Sequence, residues 1–130
     1  MKSSRVHIKH LKPAFKDKRG LIFDLIEAPV EHVGMVTFSP DAIRGNHYHK
    51  KSIQYTYMLE GRIELLTKPA RGRGRRVKKT IMEKGDLAVI PPGIIHTYRA
   101  LTNASLIDCT SQSRRGSGYE DDTIRVETLR

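Results

Sequence analysis

Cysteine is nearly absent: Cys109 stands alone among 130 residues. That excludes an internal disulfide and a thiolate zinc site. No apolar run is long enough to span a bilayer, and no secretory core is present, so the expectation is a cytoplasmic protein with no membrane partner. Helical patterning is missing as well: no window keeps apolar residues at helical spacing without a Gly or Pro nearby. Acid is scarce. Fourteen Asp and Glu stand against 24 Lys and Arg, for a formal net charge of +10 and a pI near 10.0. Such a balance favours anionic partners and makes a surface repellent to cationic ones. Hydrophobic residues at 38% of the chain suffice for a core, and residues 1–130 read as a single domain.

What remains is a chain of short strands. Val6, Ile8 and His10 alternate with polar residues as in an edge strand, ended by Pro13. The Asp17–Gly20 turn precedes LIFDLIE, an apolar run bounded by Gly and Pro that reads as a strand. HVGMVTF follows, with Val33, Met35 and Thr37 on one face. SIQYTYML and RIELLTK flank Glu60-Gly61, a hairpin signal. The segment from Lys68 to Lys79 is basic at seven of twelve positions and reads as a solvated hairpin loop. It carries no aromatic to stack on a base, so nucleic acid is not the expected partner. SLIDCTS is a half-buried strand, and the tail YEDDTIRVETLR offers a last strand through Thr123 and Arg125. About eight to ten strands at this length suit an all-β jelly-roll barrel.

Two stretches concentrate the chemistry. In RGNHYHKKSIQYTYMLEG (Arg44 to Gly61), His47 and His49 stand two apart and so share a strand face. After a break, Gln54, Thr56 and Met58 share one face of the next strand. GDLAVIPPGIIH (Gly85 to His96) supplies a turn, an apolar run, a Pro-Pro-Gly corner and another histidine. Gly45 allows the backbone to pass close to whatever His47 and His49 hold. His47, His49, Gln54 and His96 form a donor set suited to a divalent transition metal such as zinc, manganese, iron or nickel. The other reading is a metal-free pocket in which the histidines serve as bases.

The first stretch resembles the cupin motif, His-x-His, an acid four or five residues on, then Gly. The second resembles its partner, Gly-x5-Pro-x-Gly-x2-His, with Gly85, Pro91, Gly93 and His96 in register. Gln54 stands where that family usually has Glu. The resemblance implies a double-stranded β-helix, the jelly-roll barrel of the cupins, commonly paired as a homodimer. RGNHYH is also similar to a signature of nucleotide-sugar epimerases. His47, His49, Lys50 and Gln54 resemble the His-x-His-Lys-x3-Gln stretch of sugar-nucleotide 3,4-ketoisomerases.

These likenesses imply a small, anionic, sugar-type ligand and isomerase or epimerase chemistry. Arg44 would take a phosphate as a forked pair, beside Thr56 and Met58 as ligand contacts. His47 and His49 would be the acid–base histidines and Tyr98 the acid. The epimerases add a Tyr well after the partner-motif histidine; here that distance lands near Ser113, with Tyr119 beyond it. The alternatives are a non-catalytic metal- or ligand-binding sensor and a metal-dependent dioxygenase.

Overall fold

The computed structural model describes residues 5–72, 76–127 and 129. Its strands run β1 (His7–His10), β2 (Phe15–Asp17), β3 (Gly20–Ile22), β4 (His32–Phe38), β5 (Ile43–His49) and β6 (Gln54–Glu60). They continue as β7 (Ile63–Pro69), β8 (Lys78–Met82), β9 (Asp86–Ile90), β10 (Ile94–Ala100), β11 (Ala104–Thr110) and β12 (Thr123–Arg125). A single helical turn, α1 (Gly118–Asp122), precedes β12. Two five-stranded sheets result, in the orders β1-β9-β6-β11-β4 and β12-β5-β10-β7-β8, with β2 and β3 as a separate hairpin. All pairings are antiparallel. This is the jelly-roll barrel that the strand pattern predicts.

Alternation decides which side chains enter the barrel. On β6, Thr56 and Met58 are fully buried, and across the ladder Met58 pairs with Leu106 and Thr56 with Asp108. The main core joins Met58, Ile63, Leu65, Met82, Ile90 and Leu106 between the sheets. The opposite face of the first sheet has its own cluster of Leu11, Tyr55, Leu87 and Cys109.

LIFDLIE departs from its predicted strand. Pairing stops at Ile22, and Leu25, Ile26 and Val30 instead lie on that outer cluster. An apolar run can lose its water by covering a sheet face as well as by joining a ladder, and burial alone does not distinguish the two. On β4, Val33 and Met35 do share a face, but it is the outer one: they are 64% and 70% exposed. The tail also departs, because a helical turn forms before the predicted last strand. That strand pairs with β5, Thr123 opposite His49 and Arg125 opposite His47. The basic segment is partly absorbed into β7 and β8; residues 73–75 lie outside the described residues. No helix among the described residues is long and apolar enough to cross a membrane.

Candidate active site

β5 carries His47 and His49, and β10 lies beside it with His96 opposite His47. The register slips between His96 and Thr97, where Gly45 and Asn46 both take positive φ (92° and 58°). A Cβ on Gly45 would sit 2.7 Å from the His96 carbonyl oxygen. Only glycine therefore permits this approach. What Gly45 accommodates is the neighbouring strand, rather than a ligand. The bulge turns the three imidazoles onto one another, with ring centroids 4.9 Å apart for His47–His49, 4.6 Å for His47–His96 and 5.5 Å for His49–His96.

The three rings differ in what their nitrogens do. His96 is fully buried; its Nδ1 donates to the Ile94 carbonyl at 3.1 Å, and its Nε2 is buried without a partner among the described residues. Burial, then the proximity of His47 and His49, hold its pKa at about 3. His49 donates from Nε2 to Gln54 Oε1 at 2.9 Å. Its Nδ1 faces Thr123 Oγ1 at 3.3 Å and Asp122 Oδ2 at 3.6 Å. Burial lowers its pKa, while Gln54 and Asp122 pull the other way. His47 is half-buried and has no hydrogen-bond partner among the described residues. Burial first, then His49, Arg125 and Arg114, bring it down to about 4. At neutral pH His47 is a neutral imidazole with its proton-accepting capacity unspent.

His47 opens onto a cavity of about 240 Å³ lined also by Arg44, Gln54, Tyr98, Asp108, Arg114 and Tyr119. Arg44 and Phe38 are shared with an adjoining, larger recess of about 490 Å³. Arg44 is exposed, reaching the Thr37 carbonyl at 3.2 Å and lying 5.4 Å over the Phe38 ring.

Tyr98 lines the cavity as its position predicts, but its phenol is locked. Its oxygen accepts from Gln54 Nε2 at 2.7 Å and bonds Thr56 Oγ1 at 2.6 Å. Burial raises its pKa well above the ordinary phenol value, so it is a poor proton donor. Thr56 is engaged with Tyr98 rather than open to a ligand. Met58, predicted as a ligand contact, is fully buried among Leu65, Met82 and Leu106; the ladder carries it past the end of the cavity.

Several site residues come from the tail. α1 places the Tyr119 ring 6.2 Å from His47 and 6.0 Å from His49. The Arg114 guanidinium stacks 3.8 Å from the centre of that ring. Asp122 fixes α1 to the barrel by accepting the amides of Lys51 and Ser52 at 2.7 and 3.2 Å. A count from His96 passes over Tyr119 because α1 and its loop return the chain to β5. Asp108 had a plainer signal: alternation puts it on the same face of SLIDCTS as Leu106, an acid at an inward position.

A family model described as "Cupin domain" matches residues 34–108. No curated protein sequence matches significantly. Among solved structures, the chain is similar to a 3,4-ketoisomerase from Helicobacter canadensis, with a TM-score of 0.77 at 21% identity, covering 95% of this chain and 92% of that one. A sugar 3,4-ketoisomerase from Thermoanaerobacterium thermosaccharolyticum, in complex with TDP, matches with a TM-score of 0.74 at 23% identity over 92% and 87% of the chains. A dTDP-6-deoxy-D-glucose-3,5-epimerase from Legionella pneumophila Philadelphia 1, in complex with dTDP-4-keto-L-rhamnose, gives 0.77 at 15% over 95% and 73%. At these identities the likeness establishes the fold.

The comparisons overturn the divalent metal. The similar structures are sugar-nucleotide isomerases and epimerases whose complexes hold TDP or a dTDP-sugar. The donor set agrees with that correction. The ring nitrogens of His47, His49 and His96 do lie within 4.8 Å of one another. Gln54, however, spends its carbonyl on His49 and its amide on Tyr98, so the four predicted ligands do not present free donors to one point.

Proposed function

The chain belongs to the cupin domain family, and we propose, from its likeness to sugar-nucleotide isomerases and epimerases, that it moves protons on the keto sugar of a sugar nucleotide. The observation that carries this reading is His47: a neutral imidazole with no side-chain hydrogen bond among the described residues, facing a polar cavity, with His49 behind it and Tyr119 beside it. A keto group acidifies the adjacent C–H. His47 takes that proton, giving an enediolate whose oxygen requires a donor. Tyr119, unlike Tyr98, has no hydrogen bond to its hydroxyl among the described residues, and serves as that donor. Return of a proton to the former carbonyl carbon, with loss of the hydroxyl proton at the carbon first deprotonated, moves the carbonyl by one position. Return to the original carbon from the other face inverts it.

Arg44, at the junction of the two cavities, takes the diphosphate in a charge-assisted pair. Phosphate bound near Arg114 offsets part of the guanidinium charge of Arg125 and Arg114 that depresses His47, raising its basicity once substrate is in place. The His49 ring has acceptors at both nitrogens, Gln54 on one side and Asp122 and Thr123 on the other. It therefore fixes the geometry behind His47 and can share a second proton.

The test is incubation with a TDP-4-keto-6-deoxy sugar in deuterium oxide, followed by NMR. The expected result is exchange of the C–H next to the keto group, with or without a moved carbonyl. A protein that binds TDP but exchanges no carbon-bound proton would instead be a ligand-binding cupin.

A further inference from the structure

The inner face of β11 carries Ala104, Leu106, Asp108 and Thr110, so one acid points into the barrel among apolar and hydroxyl neighbours. Asp108 lines the same cavity as His47 and Tyr119. Its Oδ1 is fully buried and has no hydrogen-bond partner among the described residues. The residue directly across the ladder is Thr56, whose hydroxyl is already engaged with Tyr98 at 2.6 Å. Tyr98 in turn accepts from Gln54. None of these groups is bonded to Asp108 Oδ1.

A buried acceptor left unpaired is costly, and a well-packed strand would lose nothing by having Val or Leu in its place. An acid here, with one oxygen sealed in the barrel and the residue lining the cavity, is arranged for a donor that arrives with the ligand. We infer that Asp108 is a specificity-determining residue that accepts a hydrogen bond from a hydroxyl of the bound sugar ring. Burial pushes its carboxyl up to about 7, against the pull of Arg114. Near neutral pH both protonation states are accessible, so the group can accept from a hydroxyl or donate to a ring or keto oxygen. Arg44 lines both this cavity and the adjoining recess, whereas Asp108 lines this cavity alone. The assignment therefore separates two jobs: Arg44 holds the diphosphate, and Asp108 reads the sugar. It rests on the sugar-nucleotide reading above.

The experiment is calorimetric titration of TDP and of TDP-glucose into wild type, Asp108→Ala, Asp108→Val and Asp108→Asn. The alanine and valine variants should bind TDP within about twofold of wild type. They should lose roughly tenfold or more for TDP-glucose, the scale of one hydrogen bond to a charged group. Asn keeps a carbonyl acceptor of the same shape and should recover most of that loss. Valine matches the strand and the local volume if alanine leaves too large a void to fold. Equal weakening for both ligands, or no weakening for either, overturns the assignment. Wild-type protein that binds neither ligand overturns the sugar-nucleotide reading itself, and the role of Asp108 with it.

Discussion

At one end of the barrel, Met58 and Leu106 face each other across β6 and β11, and Ile63 and Leu65 close around them; all four are at most 1% exposed. One step along the same ladder, Thr56 faces Asp108, and one step further Gln54 faces Thr110. Gln54 and Thr56, with His96 across the barrel, are as deeply buried, at 2% exposure or less. The apolar end needs only volume and loses nothing by being non-directional. The polar end must match every donor with an acceptor, and it does not: His96 Nε2 and Asp108 Oδ1 are left over. Burial of equal depth thus serves opposite ends. The apolar half supplies stability, and the polar half holds unspent hydrogen-bonding capacity that the apolar half makes tolerable.

Substitutions in each half should fail in different ways. The largest effect belongs to His47→Asn, which should lower the rate of carbon-proton exchange by roughly 10²–10⁴-fold, the share of a positioned base. Its melting temperature should stay near that of wild type; a parallel collapse of stability would make His47 part of the core. Leu65→Ala, fully buried at the apolar end, should cost about 2–5 kcal/mol of unfolding free energy in urea titrations. The surviving folded fraction should exchange protons at the wild-type rate. Arg44→Ala should weaken TDP by roughly 1.5–3 kcal/mol in calorimetry with no change in melting, since Arg44 is exposed. Tyr98→Phe removes the hub of the Gln54–Thr56 network. It should cost about 1–2 kcal/mol of stability, and a loss of exchange far beyond that would restore Tyr98 as the acid.

The smallest effect concerns pH. An unfolded histidine titrates near 6.5, whereas folded His47 titrates near 4 and His96 near 3. Below pH 6.5 the unfolded chain takes up protons that the folded chain refuses, so their contribution to stability falls as pH falls. Asp108 has the opposite sign: its folded pKa of about 7 against 3.8 unfolded favours the fold at low pH, and that contribution is lost as pH rises through 7. A comparison of wild type with His47→Asn cancels the Asp108 part. Between pH 7 and 5.5 the variant should lose less stability than wild type by on the order of 1 kcal/mol. Identical pH slopes would place His47 in open water.

Much of this was legible in one dimension. His47 and His49 share a face because a strand repeats every two residues, and His96 meets them because its Pro-Gly corner starts the adjoining strand at β10. Arg44 was legible only from the likeness of RGNHYH to an epimerase signature: it stands three residues before His47, and the irregularity at Gly45 and Asn46 lets both line one cavity. LIFDLIE was not, because an apolar run lowers its exposure equally well in a ladder or across a sheet face, and the choice depends on Leu11, Tyr55 and Leu87 being there to cover.

The paired histidine stretches determined the barrel and the meeting of three imidazoles, since period, turn and spacing act over a few residues and need no distant partner. Tertiary structure alone decided what each polar atom is free to do. Gln54 turned from a possible ligand into a clamp because Tyr98, 44 residues away, took its amide. Tyr119 reached the site because Asp122 caught the amides of Lys51 and Ser52, some 70 residues earlier. Hydrogen-bond capacity is spent once, on whichever partner the packed chain brings within 3 Å or so, and no local pattern records which partner that will be.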